Sequence, residues 1–183
     1  MKGVIIYKGK YGATFQYADW LGTMLDLPVY TAGDERTAEL AAADYVIMGS
    51  SIYIGKLQLR NWLAAHQSKL LNKKLFIFIV CGTPLQERDK LENFIRTNVP
   101  VQIQQHCTFY FLPGRLEFRK LTFTDRLLLK IGARMSRKTG APAIIKDYDD
   151  VKQEHLESII KAVKEQCIHP REDIKAASYN QFK

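Results

Sequence analysis

The sequence predicts an α/β sandwich: a parallel sheet of about five strands, with helices on both faces. Three observations carry this. Short apolar runs recur at Gly3–Tyr7, Tyr45–Met48, Leu75–Val80 and Cys107–Leu112. They are continuous rather than alternating, which suits strands buried on both faces. Segments of helical period lie between them, the rhythm of βαβ units joined by right-handed crossovers. Finally, 183 residues at 46% hydrophobic and 25% charged form ordinary globular material. A chain of that length buries roughly two thirds of its unfolded surface in one core. No repeat or linker divides it, so one domain is expected over 1–168, with a polar tail over 169–183.

The elements follow in order. Gly3–Tyr7 is β-branched and opens the sheet. Gly9, Tyr11 and Gly12 interrupt it, and a helix begins near Ala13. Ala18, Leu21 and Leu25 repeat at helical spacing until Pro28 stops them. Val29–Thr31 is a brief strand, and Asp34–Ala43, rich in Ala and Glu, is helical. Tyr45–Met48 is a strand ending in Gly49, Ser50 and Ser51. Leu57–Leu71 forms a helix whose inward residues are Leu59, Trp62, Leu63, Leu70 and Leu71. Leu75–Val80 is the strongest strand, closed by Gly82 and Pro84. Leu85–Thr97 is helical, with Leu91, Phe94 and Ile95 inward. Cys107–Leu112 is the last strand, closed by Pro113 and Gly114. Arg115–Gly140 is basic with one amphipathic helix. Val151–Cys167 is the final helix, burying Leu156, Ile159, Ile160, Val163 and Cys167.

Composition narrows the function classes. The cysteines Cys81, Cys107 and Cys167 are odd in number and widely spaced. They form neither a disulfide scaffold nor a zinc motif, and they suit a reducing compartment. His66, His106, His155 and His169 are scattered, so no metal site is expected. The longest clean apolar run, Leu75–Cys81, is far short of the roughly 20 residues of a spanning helix. No signal peptide is read at the N-terminus. The expected location is cytoplasmic, with peripheral contact at the inner face of the cell membrane open. Twenty-seven Lys and Arg stand against 19 Asp and Glu, a net charge of +8, which favours anionic partners. No nucleic-acid module or aromatic interleaving is present, so nucleic acid is not expected among them.

In open α/β sheets, ligands sit beyond the carboxyl ends of the strands. Three glycine-bearing loops lie there: Lys8–Thr14, Gly49–Lys56 and Cys81–Gln86. In the first, Lys8, Gly9, Lys10, Tyr11, Gly12, Ala13 and Thr14 lead from strand to helix. Glycines let N–H groups turn inward, the helix start carries partial positive charge, and Thr14 adds a hydroxyl. A phosphate is one occupant that fits. An ordinary strand-to-helix turn is the other reading. Neither a Walker loop nor GxGxxG is present.

Strand, loop ending Gly-x-Thr, then helix resembles the start of flavodoxin-fold proteins. The run Gly49-Ser-Ser-Ile-Tyr-Ile-Gly55 is similar to the flavin-side loop of the menaquinone-dependent protoporphyrinogen oxidase branch of that superfamily. Gly114-Arg-Leu-Glu-Phe118, the helix from Thr124 through Lys130, and Met135-Ser-Arg-Lys-Thr-Gly140 are similar to the segment that sets this branch apart. The resemblance covers Lys2 to about Val163. It implies a flavodoxin-like sheet in the order 2-1-3-4-5, with a basic helical insertion over 114–140 after the last strand. It also implies FMN as cofactor, with its phosphate in the Lys8–Thr14 loop. Ser50, Ser51, Ile52, Tyr53, Gly55, Gly82 and Thr83 would border the isoalloxazine ring. Arg115 would face the cofactor, substrate or membrane. The implied function is an FMN-dependent oxidoreductase, passing electrons from a porphyrinogen to a quinone, in heme biosynthesis. A flavodoxin-type electron carrier is the alternative, as is an FMN-free binding protein. Flavodoxin phosphate loops usually carry several hydroxyls, whereas here only Thr14 remains. The third loop has no aromatic residue, which leaves Tyr53 as the stacking candidate. No general acid or base is singled out.

Between Gly114 and Gly140, eight cations face only Glu117 and Asp125, an excess of 8 − 2 = +6. Phe123, Leu127, Leu128, Ile131 and Met135 fall on one helical face. Arg126, Lys130, Arg134 and Arg137 lie toward the other. Such a helix suits a membrane interface through 115–138, packing on the domain with solvated cations, or the propionates of a porphyrin.

Overall fold

A computed structural model describes residues 1–127 and 146–168 of the chain. Five parallel strands form its sheet: β1 (Gly3–Lys8), β2 (Val29–Thr31), β3 (Tyr45–Tyr53), β5 (Lys74–Cys81) and β6 (Cys107–Pro113). Their spatial order is β2-β1-β3-β5-β6. Counting only parallel strands, this is the expected 2-1-3-4-5. A two-residue strand, β4 (Lys56–Leu57), lies antiparallel on the end of β3, pairing Ile52 with Leu57 and Tyr53 with Lys56. The fold is the α/β flavodoxin-like sandwich.

Alternate residues of each strand enter opposite cores. Ile5, Ile47, Phe76, Phe78 and Val80 pack with Tyr17, Leu21 and Leu25 of α1 (Ala13–Leu25). Leu156, Ile159, Val163 and Cys167 close the same layer from the C-terminal helix α6 (Glu157–Val163) and the turns flanking it. On the other face Ile6, Val46, Met48, Ile77 and Ile79 meet Leu40 of α2 (Thr37–Ala42) and Trp62, Leu63 and Leu70 of α3 (Arg60–Leu70). Phe94 and Ile95 of α4 (Arg88–Asn98) and Ile103 of α5 (Val101–His106) complete that layer. Burial on both faces is why these strands read as unbroken apolar runs.

Several boundaries differ from the sequence reading. The expected Gly49–Lys56 loop is mostly strand, because Ser50 still pairs with Lys8 and Ser51 with Val80. Only Ile54 and Gly55, with φ of 49° and 70°, turn the chain. Two left-handed residues in a two-residue connection are the geometry of a tight hairpin. Leu57 belongs to β4 rather than to the next helix, since its N–H goes to Asn98 Oδ1 at 3.1 Å. The helices expected over Asp34–Ala43 and Leu85–Thr97 narrow to α2 and α4. The Val151–Cys167 helix starts as a tight turn at Gln153–Leu156 and ends as a wide one over Lys164–Ile168. α5 and a short ribbon, β7 (Arg115–Leu116) with β8 (Tyr148–Asp149), have no counterpart among the elements expected from the sequence. Residues 123–127 are helical, with Phe123 and Leu127 81% and 50% exposed. The remainder of the expected basic helix, including Leu128, Lys130, Ile131, Arg134, Met135, Arg137, Lys138 and Gly140, lies outside the described residues, as does the 169–183 tail.

Candidate functional site

The register puts the three predicted loops side by side. Lys8 is level with Ser50, Ser51 with Val80, and Cys81 with Pro113, all at the carboxyl edge. β1, β3 and β5 are adjacent there, so their outgoing segments share one rim.

The first loop folds back on its helix. A Cβ on Gly9 would fall 2.5 Å from Thr14 Oγ1, so only glycine lets the backbone lie this close. Gly12 takes φ 83° and precedes α1 with no side-chain cap, and the space where its Cβ would stand is open. The N–H groups of the first turn of α1 therefore face this rim without a capping side chain. Thr14 is 1% exposed, and its hydroxyl has no hydrogen-bond partner. The Tyr11 hydroxyl is likewise buried and unpartnered. Buried hydroxyls are almost always paired. An anion at the start of α1 would supply acceptors to these donors and to the helix N–H groups together. The loop thus fits a phosphate despite its single threonine. Lys8 is exposed.

Lys10 does not point into this cradle. Its ammonium lies 2.7 Å from Asp125 Oδ2 and 3.8 Å from the centroid of the Tyr53 ring. The Tyr53 hydroxyl donates to Asp125 Oδ1. The hydrogen bonds to Asp125 and then Tyr53 raise the Lys10 pKa above its ordinary value. First loop, Tyr53 hairpin and residues 122–127 thus meet at one carboxylate. In the sequence Asp125 stands only as one of two acids, with Glu117, among the eight cations of 114–140. Its isolation in the basic run was the available signal.

The remaining expected residues divide. Ser50 is fully buried, its Oγ accepting the Leu59 N–H at 3.1 Å and donating to Ser51 O at 3.3 Å. It fixes the start of α3. Ser51, Ile52 and Tyr53 are partly exposed at the rim. Gly82 is exposed, and a Cβ there would come 2.7 Å from the Tyr148 hydroxyl. The aromatic residue lacking in the third loop is thereby supplied from β8, with no local sequence signal. Cys81 is buried, its thiol pKa raised by burial, and it donates weakly to Thr83 O. Arg115 reaches back over the rim. It donates to Gln16 Oε1 of α1 and lies 3.6 Å from Asp149. Tyr17, donating to Pro113 O at 3.0 Å, ties α1 to the same corner, and burial pushes its pKa up to about 12.

Among the described residues, no group of three or more His, Cys, Asp or Glu is placed to hold a metal. No helix among them is long and apolar enough to cross a membrane.

Residues 4–142 match the family described as the flavodoxin domain. No curated protein matches the chain. Among solved structures, it is similar to a flavodoxin from the domain Archaea, 18% identical over 76% of this chain and 99% of that one, with a TM-score of 0.42. A WrbA-like flavodoxin from Agrobacterium tumefaciens is 18% identical over 75% and 98%, at 0.43. Oxidised flavodoxin 2 from Bacillus cereus is 21% identical over 64% and 88%, at 0.43.

Proposed function

The chain belongs to the flavodoxin domain family, and from that premise we propose that it is an FMN-binding electron carrier. The observation that carries this is the buried, partnerless Thr14 hydroxyl beneath the uncapped start of α1. FMN, when bound, supplies the one- and two-electron chemistry. The chain's own residues hold and orient it. In this reading the N–H groups of Gly9 through Thr14, the Thr14 and Tyr11 hydroxyls and the charges of Lys8 and Lys10 receive the phosphate. Ser51, Ile52, Tyr53 and Gly55 border the ring on one side, and Gly82 and Thr83 on the other. Tyr148, beside Gly82, joins them. Ser50 supports the rim from below, and Arg115 closes it over α1. The net charge of +8 directs such a carrier toward acidic redox partners.

A second reading, an oxidoreductase of the protoporphyrinogen type with a quinone acceptor, rests on the resemblance of 114–140. The placement of 122–127 against Tyr53 favours it, since that segment begins at the site. Peripheral membrane contact belongs to this reading.

Titrating FMN against the purified chain and Thr14→Val tests the proposal. Wild type is expected to retain flavin absorbance through desalting. The variant should bind about tenfold more weakly, the worth of one hydrogen bond to a charged acceptor. Absence of FMN binding in wild type would sink both readings. Turnover of protoporphyrinogen with a quinone, checked on the loaded protein, separates them, because a carrier gives none.

A further inference from the structure

We propose that Asp125 is a built-in competitor for the ligand's phosphate. It holds Lys10 against Tyr53, and a phosphate at the start of α1 takes Lys10 away and releases residues 122–127 from the rim. The inference rests on the phosphate-binding reading of the first loop and adds its regulation.

The geometry carries it. Asp125 is only 4% exposed; its Oδ1 accepts from the Tyr53 hydroxyl, and its Oδ2, without a hydrogen bond of its own, lies in an ion pair 2.7 Å from the Lys10 ammonium. Lys10 is the sole charged donor of the two. It stands on the Tyr53 face, two residues before Gly12, and its side chain is 33% exposed. A phosphate seated on Thr14 and the helix N–H groups carries nearly two negative charges. Asp125 carries at most one. Both anions therefore contend for one ammonium, and the doubly charged one has the stronger claim. Once Lys10 turns to the phosphate, Asp125 keeps a single neutral donor in a dry place. A carboxylate left buried without its cation is strongly unfavourable. Outward movement of 122–127 returns it to water, and Phe123 and Leu127 of that segment are already exposed. Tyr53 is uncovered by the same exchange, since Lys10 lies over its ring. A flavin without phosphate brings no competitor for Lys10 and drives none of this.

The experiment uses the full chain with FMN and riboflavin as probes, titrated by flavin fluorescence, and amide hydrogen exchange with and without FMN. Asp125→Asn should bind FMN about two- to fivefold more tightly than wild type, the worth of a partly exposed ion pair. Riboflavin affinity should change by less than about twofold, since no phosphate is present to claim Lys10. In wild type, FMN should slow exchange over 9–16 and speed it over 122–127. Acceleration by a ligand is the reverse of ordinary protection. In Asp125→Asn, FMN should no longer speed exchange at 122–127. Tyr53→Phe keeps the ring and loosens Asp125 from its other side, so it shows a smaller gain for FMN if the asparagine variant fails to fold. FMN binding in wild type with no gain in either folded variant, equal gains for FMN and riboflavin, or protection of 122–127 by FMN would overturn the competition. Loss of FMN binding in every protein would instead overturn the phosphate reading beneath it.

Discussion

Glu35 and Asp125 both keep their carboxylates from water, at 7% and 4% exposure, but the two regions that hold them differ in kind. Glu35 lies just before α2. It accepts from the Trp62 indole at 2.8 Å and from the Gly33 N–H at 2.6 Å, with His66 Nε2 3.6 Å away. His66 stacks on Trp62 at 4.4 Å, so its position is fixed by packing. Burial pushes the Glu35 pKa up, but these hydrogen bonds outweigh it and hold the carboxyl below its ordinary value. Indole and amide donors are bound into α3 and a tight turn, and no competing anion can draw them off. Asp125 relies instead on Lys10, a long cation that another anion can attract. The first region is a fixed clasp between α2 and α3. The second is a contact with an exchangeable partner, at the rim where ligands enter.

The largest effect expected from this contrast is that of Lys10→Met. It leaves Asp125 buried with only the Tyr53 hydroxyl, a loss of about 3–5 kcal/mol by the usual cost of orphaning a buried charge. In a chain of this size that lowers the melting temperature by about 6–20 °C. An unchanged melt would mean that Asp125 regains water freely. Glu35→Ala comes next. It strands the buried Trp62 indole, at a cost of about 1–3 kcal/mol, while the exposed Gly33 amide returns to water, and it should leave FMN affinity untouched. Its pH dependence has a definite sign. A carboxyl whose folded pKa is depressed stabilises above its ordinary value of 4.5 and loses that contribution as pH falls through the folded pKa. Wild type and Glu35→Ala melts should therefore converge in acid and separate above that value. A gap that widened on acidification would contradict the hydrogen-bond account.

The same contrast shows what the sequence could disclose. The sheet was legible because Ile5, Ile47, Phe76 and Ile77 sit in strands buried on both faces, so their apolar runs needed no partner to be recognised. The first loop was legible because glycine spacing and a following helix are local. The Lys10–Asp125–Tyr53 cluster was not, since it joins three residues from distant parts of the chain whose types individually suit solvent. Tyr148 beside Gly82 escaped for the same reason. The Ile54–Gly55 turn was hidden differently: a β-branched residue with positive φ runs against propensity, and pairing with β1, β5 and β4 overrides it. Ser50 at a strand end reads equally as a site hydroxyl or as a structural one. Its bond from the Leu59 N–H is a contact that the sequence does not carry.

The smallest effect is the stability change in Asp125→Asn, and it sharpens the comparison most. This substitution removes the other end of the same ion pair. Lys10, 33% exposed, can rehydrate where it stands, and the asparagine oxygen still accepts from Tyr53. The expected loss is therefore only about 0.5–1 kcal/mol, that of a partly exposed pair. One interaction thus carries two unequal deletion costs, because its partners differ in access to water rather than in charge. A double variant makes the inequality decisive. If Lys10→Met is costly because Asp125 is orphaned, adding Asp125→Asn removes the orphan and restores stability by about 1–3 kcal/mol. Additive losses in the double variant would place the cost in the packing of the Lys10 stem over Tyr53, and the carboxylate would no longer be the element on which this rim turns.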